Sequence, residues 1–360
     1  MIKRNLIWIE NIYDKFSLPY YFVSVIVSII LLLIFIIFYF IVPMLKSEFW
    51  YDLVIVTMCS LIALQQIAII YILKCCRDTI RNLDFVTDKY FLCNSYYNFI
   101  SIYKMKWIIP VNLLVIIPFF IIDILQFSKG DLPLFFTWMG TIGSLSLDLY
   151  NYFLSYLINY FLSIQLFVNL SIVYLIRGLD IGGYKNYINL DDLETKNVKI
   201  AKLLSVSSAV YFLSLSLAII TYMGPFGIFT IQSVIYMALI FLGLLLFLIG
   251  RRYLGKIFTD RLQDEKDKLL NIDKPYYEKF VKMSPDEFST RKDELLLISI
   301  IMNVTNIQIE KLNDIKIQLF SFKNLSGLII PFFSSVVAIL IRMTLASELV
   351  NYFLSLFSPK

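Results

Sequence analysis

Two stretches of this chain, 20–44 and 228–250, run for more than twenty residues without a charged side chain. About 20 consecutive apolar residues cross the roughly 30 Å hydrocarbon core of a bilayer. A helix made from either stretch is apolar all round, so it has no polar face to turn toward water. Composition extends this to the whole chain: 59% of the residues are apolar and 16% charged, where a soluble domain has about 45–50% and 25%. A soluble single-domain enzyme is excluded. The sequence predicts an all-α polytopic membrane protein.

Apolar blocks and their flanks place seven spans at about 20–44, 53–73, 107–127, 149–176, 203–223, 228–250 and 325–345. Lys and Arg alternate across the connecting segments. Along the chain they number 3, 1, 6, 1, 5, 0, 14 and 2, so the odd-numbered segments hold 28 of the 32. Basic residues stay on the cytoplasmic side, which puts the N-terminus inside and the C-terminus outside. The first span is too long for the core of a cleaved signal peptide and is expected to be retained. Gly224-Pro225-Phe226-Gly227 predicts a tight outer turn that makes spans 5 and 6 an antiparallel hairpin.

Residues 1–360 read as one membrane domain with a cytoplasmic helical extension at 251–324. That extension interleaves 14 basic with 12 acidic residues, a helix-forming mixture. Two helices are expected. The first continues span 6 to about Asn271 and stops at Lys274-Pro275; the second starts at an N-cap on Thr290 and runs to about Leu319. Ile298, Ile301, Thr305, Gln308, Leu312, Ile315 and Leu319 form a 3-4 stripe on it. Such a stripe packs either on the protein's own helices or on another subunit.

Histidine is absent, which removes His-ligated zinc and haem, Ser-His-Asp triads and the His-Glu-x-x-His helix. Nothing resembles a nucleophile with its base, so no enzymatic activity, metal or cofactor is expected, and no nucleic-acid partner. Cys75 and Cys76 lie at the inner edge of span 2 beside Lys74 and Arg77, where they are either plain thiols or acceptors for S-palmitoylation. The sequons at Asn169, Asn303 and Asn324 fall in span 4 or in the cytoplasmic extension, where glycosylation does not occur.

Span 4 carries the polar signal. Tyr152, Tyr156, Asn159, Tyr160 and Ser163 share half of a helical wheel in its outer part, with apolar residues on the other half. They line a partly polar ligand cavity, or they serve as interhelical hydrogen-bonding groups. Two ionisable residues, Asp123 and Arg342, lie about 16 and 17 residues from the inner edges of spans 3 and 7. That is roughly 24–26 Å in at about 1.5 Å per residue, one depth for both. An intramembrane charge is costly unless paired or watered, so the two are expected to pair or to reach outer water separately.

Several local stretches resemble the insect chemoreceptor superfamily, in particular gustatory receptor-like proteins. They are Cys-Arg-Asp-Thr-Ile-Arg-Asn-Leu-Asp at 76–84, Gln-Leu-Phe-Val-Asn-Leu-Ser-Ile-Val-Tyr-Leu-Ile-Arg at 165–177, and Gln-Leu-Phe-Ser-Phe-Lys-Asn-Leu-Ser at 318–326. The whole-chain plan is similar too: seven spans, N-terminus inside, a long last cytoplasmic segment and a short outer tail. Where the family has Thr-Tyr, five apolar residues and Gln-Phe in its last span, this chain has Ser335-Val336, five apolar residues at 337–341, and Arg342-Met343. The resemblance implies a plasma-membrane homotetramer, gated by a small organic ligand, that conducts cations along its last span. Ile330, Phe333, Ser334, Val337 and Ile341 would line that pore. A transporter and a membrane-anchored interaction protein are the alternatives, but span breaks are confined to Pro110, Pro118 and Pro331, without the paired repeats of transporter folds.

Overall fold

The computed structural model describes residue 15 and residues 18–41, 49–84, 105–128, 142–181, 190–221, 230–284, 287–319 and 329–340. Its elements are helices α1 (Tyr20–Ile41), α2 (Phe49–Asp84), α3 (Met105–Ser128), α4 (Ile142–Ile181), α5 (Leu190–Thr221), α6 (Thr230–Lys282), the single turn α7 (Glu287–Thr290), α8 (Lys292–Leu319) and α9 (Ile329–Leu340). Among the described residues there is no strand. Each sequence-derived span overlaps a helix.

By length and composition six helices can cross a membrane: α1, α2, α4, α5, α6 and α8. The set differs from the expected seven. The apolar stretches of α3 (Ile108–Ile121) and α9 (Ile329–Leu340) are shorter, while α8, expected in the cytoplasmic extension, joins the list. Apolar side chains cover the outside of the bundle as well as its core: α1 exposes Ile26, Ile30, Leu33 and Ile37, and α6 exposes Val234, Phe241 and Leu248. This is the surface of a multi-pass membrane protein, whose outer face meets lipid.

The centre is α4. Of its apolar window, 78% is buried, because α2, α3, α5 and α6 all pack on it. The peripheral α1 turns Val23, Ser24, Leu31 and Phe35 onto the bundle. Ser28 donates to the Cys59 carbonyl of α2 at 2.8 Å, and Tyr150 of α4 donates to the Leu31 carbonyl.

Glycine sets the crossing of α5 and α6. A Cβ on Gly243 would lie 2.4 Å from the Tyr211 ring, and one on Gly250 would lie 3.0 Å from the Leu204 methyls and 3.2 Å from Val173. At Gly243 only a residue without a side chain fits against the Tyr211 ring, whereas the neighbours of Gly250 are the ends of flexible side chains. Tyr211, fully buried, donates to the Leu239 carbonyl across that crossing at 3.0 Å.

The extension departs from expectation at two points. α6 runs unbroken through Pro275 to Lys282. The ring deprives only the Asn271 carbonyl of its intrahelical donor, and on an exposed helix water replaces it. Thr290 is not the cap: its hydroxyl donates back to the Glu287 carbonyl at 3.2 Å. α8 opens instead at Arg291, whose carbonyl accepts from the Leu295 N–H, and Ser284 precedes the single turn α7: its backbone N–H donates to the Glu287 carboxylate at 2.9 Å while the Glu287 N–H donates to the Ser284 carbonyl, the carboxylate half of a capping box. Beyond the turn α8 doubles back along α6, and Lys279 pairs with Glu294 at the tip. The expected stripe packs on the protein's own helix: Ile298, Thr305 and Leu312 are buried, Ile301 is half-buried and Gln308 is exposed.

Candidate functional site

The polar face of α4 meets α3. Ser163, fully buried, hydrogen-bonds the Asn112 side chain of α3 and the Tyr160 carbonyl of its own helix, the latter at 2.7 Å. Asn159 is buried one turn earlier on α4, with Tyr156 and Tyr160 half-buried beside it. The Tyr152 side chain lies outside the described residues. The structure therefore brings Tyr156, Asn159, Tyr160 and Ser163 to one interior face of α4. Asn112 joins them, and its signal was a lone amide in an otherwise apolar span.

Two charges were expected to share one depth. Asp123 lies on α3, but its side chain, like Arg342 and Ile341, lies outside the described residues. So does the 224–227 turn.

On α9, Ile330, Phe333 and Val337 occupy one exposed face together with Leu340. Ser334 is turned elsewhere: its hydroxyl sits 3.0 Å from that of Ser216 on α5. Ser335 is fully buried, 2.9 Å from the same Ser216 hydroxyl, and donates to the Phe212 carbonyl at 2.8 Å. Phe332 meets Phe212 edge-on at a centroid distance of 5.4 Å. α9 is thus fastened to α5 by a three-hydroxyl cluster and one aromatic pair, with its opposite face uncovered.

A second uncovered face lies on α8. Leu296, Leu297, Ile300, Val304 and Ile307 are between 48% and 64% exposed. They recur at helical spacing on a face about 110° around the helix from the stripe that packs on α6, so α8 has two apolar faces, and the described residues cover one. Both stripes were present in the sequence; only the one now buried against α6 was singled out there.

Cys76 is fully buried and Cys75 is partly exposed where the apolar part of α2 ends, so Cys76 offers no thiol for acylation. Among the described residues no three Cys, Asp or Glu side chains come together as a metal site. The sequence matches no protein-family model, and neither a curated protein nor a solved structure matches it.

Proposed function

We propose that this chain is one subunit of a homo-oligomeric ligand-gated cation channel in the plasma membrane, a tetramer with seven spans, an inner N-terminus and α9 beside the axis. One observation carries the reading: a single protomer leaves an apolar face without protein cover on α9 and another on α8. Lipid suits the first as well as a subunit does, but not the second. α6 has 53 residues, roughly 80 Å at about 1.5 Å each, against a core of about 30 Å. Its charged half therefore stands outside the bilayer, and α8 lies along that half, with Lys292, Asp293 and Glu294 in its first turn and Glu310 and Lys311 farther along. An apolar face in water at that distance calls for protein, and a symmetric assembly supplies it from a second copy. The same assembly sets the Ile330, Phe333 and Val337 faces of several α9 helices around one axis, an apolar constriction that closes by dewetting. The α4 face at Tyr156, Asn159 and Tyr160 receives a small amphipathic molecule. It biases opening only by making different contacts in the two states.

The test is particle imaging of the protein in lipid nanodiscs, with conductance measured in planar bilayers. Four subunits around an axial path are expected, and Ile300→Glu with Val304→Glu should yield folded monomers without conductance. A wild-type monomer with no axial path would replace the channel by a single-subunit transporter or an interaction protein.

A further inference from the structure

The outside of the bundle changes chemistry at one level, and three helices make the change together. A Cβ on Gly250 of α6 would meet Leu204 of α5 and Val173 of α4, so those three residues stand side by side. Tyr211 against Gly243 makes α5 run opposite to α6. Asn112 and Phe119 of α3 meet Ser163 of α4 and Tyr236 of α6, which leaves α4 running with α6. Over the six residues past that level, about 9 Å toward the side to which α6 runs, come Arg177 on α4, Lys202 and Lys199 on α5, and Arg251, Arg252 and Lys256 on α6. No Asp or Glu falls in that interval on the three helices.

Apart from the half-buried Arg251, each of these side chains continues a face that is exposed on the outside of the bundle. On α6 the exposed stripe Phe241, Leu245 and Leu248 passes at helical spacing into Arg252 and Lys256. On α5 Ile220 and Leu213 pass into Lys202 and Lys199, and on α4 Leu170 and Tyr174 pass into Arg177. A phospholipid whose acyl chains cover such a stripe holds its headgroup among these cations, and an exposed tyrosine at the border suits the same interface. Farther along the α6–α8 hairpin the basic residues pair with carboxylates, as Arg261 does with Glu265 at 2.7 Å. Arg177, Lys199, Lys202 and Arg252 enter no ion pair among the described residues.

We infer that Arg177, Lys199, Lys202, Arg252 and Lys256 form a collar that binds the headgroups of anionic phospholipids. Arginine offers paired N–H donors to phosphate oxygens and lysine a compact charge. A zwitterionic headgroup brings its own quaternary ammonium into the same cationic band, whereas an anionic one brings a net negative charge. Each basic residue held at an anionic surface is worth about a fivefold gain in affinity, which fades within a Debye length. The collar does not rest on the channel reading, since it stands on one protomer.

Electron spin resonance on the full chain in phosphatidylcholine vesicles tests it, with phosphatidylserine or phosphatidylcholine spin-labelled on the acyl chain. The motionally restricted fraction reports lipid held at the protein surface. Wild type should hold phosphatidylserine severalfold more than phosphatidylcholine, and high salt should lower the ratio. Arg252→Gln with Lys256→Gln, and Lys199→Gln with Lys202→Gln, should each lower it by about twofold or more. Lys274→Gln with Lys311→Gln removes the same charge from exposed hairpin residues and should leave the ratio unchanged. Equal retention of the two lipids by wild type would overturn the inference. So would a fall of the same size in the hairpin variant, because selectivity would then follow net charge and not the collar.

Discussion

Gly243 and Gly250 both sit where α6 runs close to α5, yet a methyl group has opposite consequences at the two positions. Alanine gains about 1 kcal/mol of helix propensity over glycine. At Gly243 that gain is overridden, because the Tyr211 ring 2.4 Å away is fully buried and tethered by its hydroxyl to Leu239, and overpacking costs about 1–3 kcal/mol. At Gly250 the neighbours are the free ends of Leu204 and Val173 at 3.0–3.2 Å, which shift by a few tenths of an ångström. Thermal unfolding in detergent should show Gly243→Ala melting below wild type and Gly250→Ala at or near it. Equal losses would mean that the crossing has no slack anywhere. Residue-level partners were the least legible part of the sequence. Ser163 stood out on its wheel, but the Asn112 that receives it is distant in sequence and required the packing of α3 on α4 to be known.

At the scale of the element, periodicity found helices well and their ends less well. The Ser-x-x-Glu turn at Ser284 is encoded in four adjacent residues, but Thr290 is also a good cap type and drew the expected start to itself. Pro275 stopped the expected helix because helix rules assume that a missing N–H is unaffordable, which holds only where water cannot take its place. Two elements yield predictions. α9 is held by Ser216, so Ser216→Ala should weaken its docking by roughly 0.5–1.5 kcal/mol and make a cysteine at Ala338, which is 2% exposed, react faster with thiol reagents. Unchanged reactivity would show that the aromatic pair alone holds the helix. At the hairpin tip, hydrogen bonding and charge from Lys279, with Arg291 nearby, hold the Glu294 carboxyl below the ordinary carboxylate range. A depressed carboxylate contributes its stability above the unfolded value and loses it as pH falls through the folded one. Proteolysis at 283–291 should therefore accelerate only in strongly acid solution, and Glu294→Gln should be cut faster already at neutral pH. A cleavage rate flat across the acid range would remove this pair from the account of the tip.

For the whole molecule, the helices were legible because the apolar blocks are long. What covers each helix was not, since an apolar stripe reads the same whether α6, lipid or another subunit lies against it. The proposed topology puts the hairpin and the chain's end on opposite sides, so Leu270→Cys should label from the cytoplasmic side and Ser355→Cys from the other. Labelling from one side would refute the seven-span arrangement. The continuous α6 has a mechanical consequence. About 32 of its residues lie past Gly250, a stiff arm of roughly 48 Å, and a tilt of about 10° at the membrane would swing its tip by roughly 8 Å. Load applied at the tip returns as torque at Gly243, where the tethered Tyr211 ring leaves no room to slide. The helix must roll instead, and a roll there bears first on α5, the helix that carries α9.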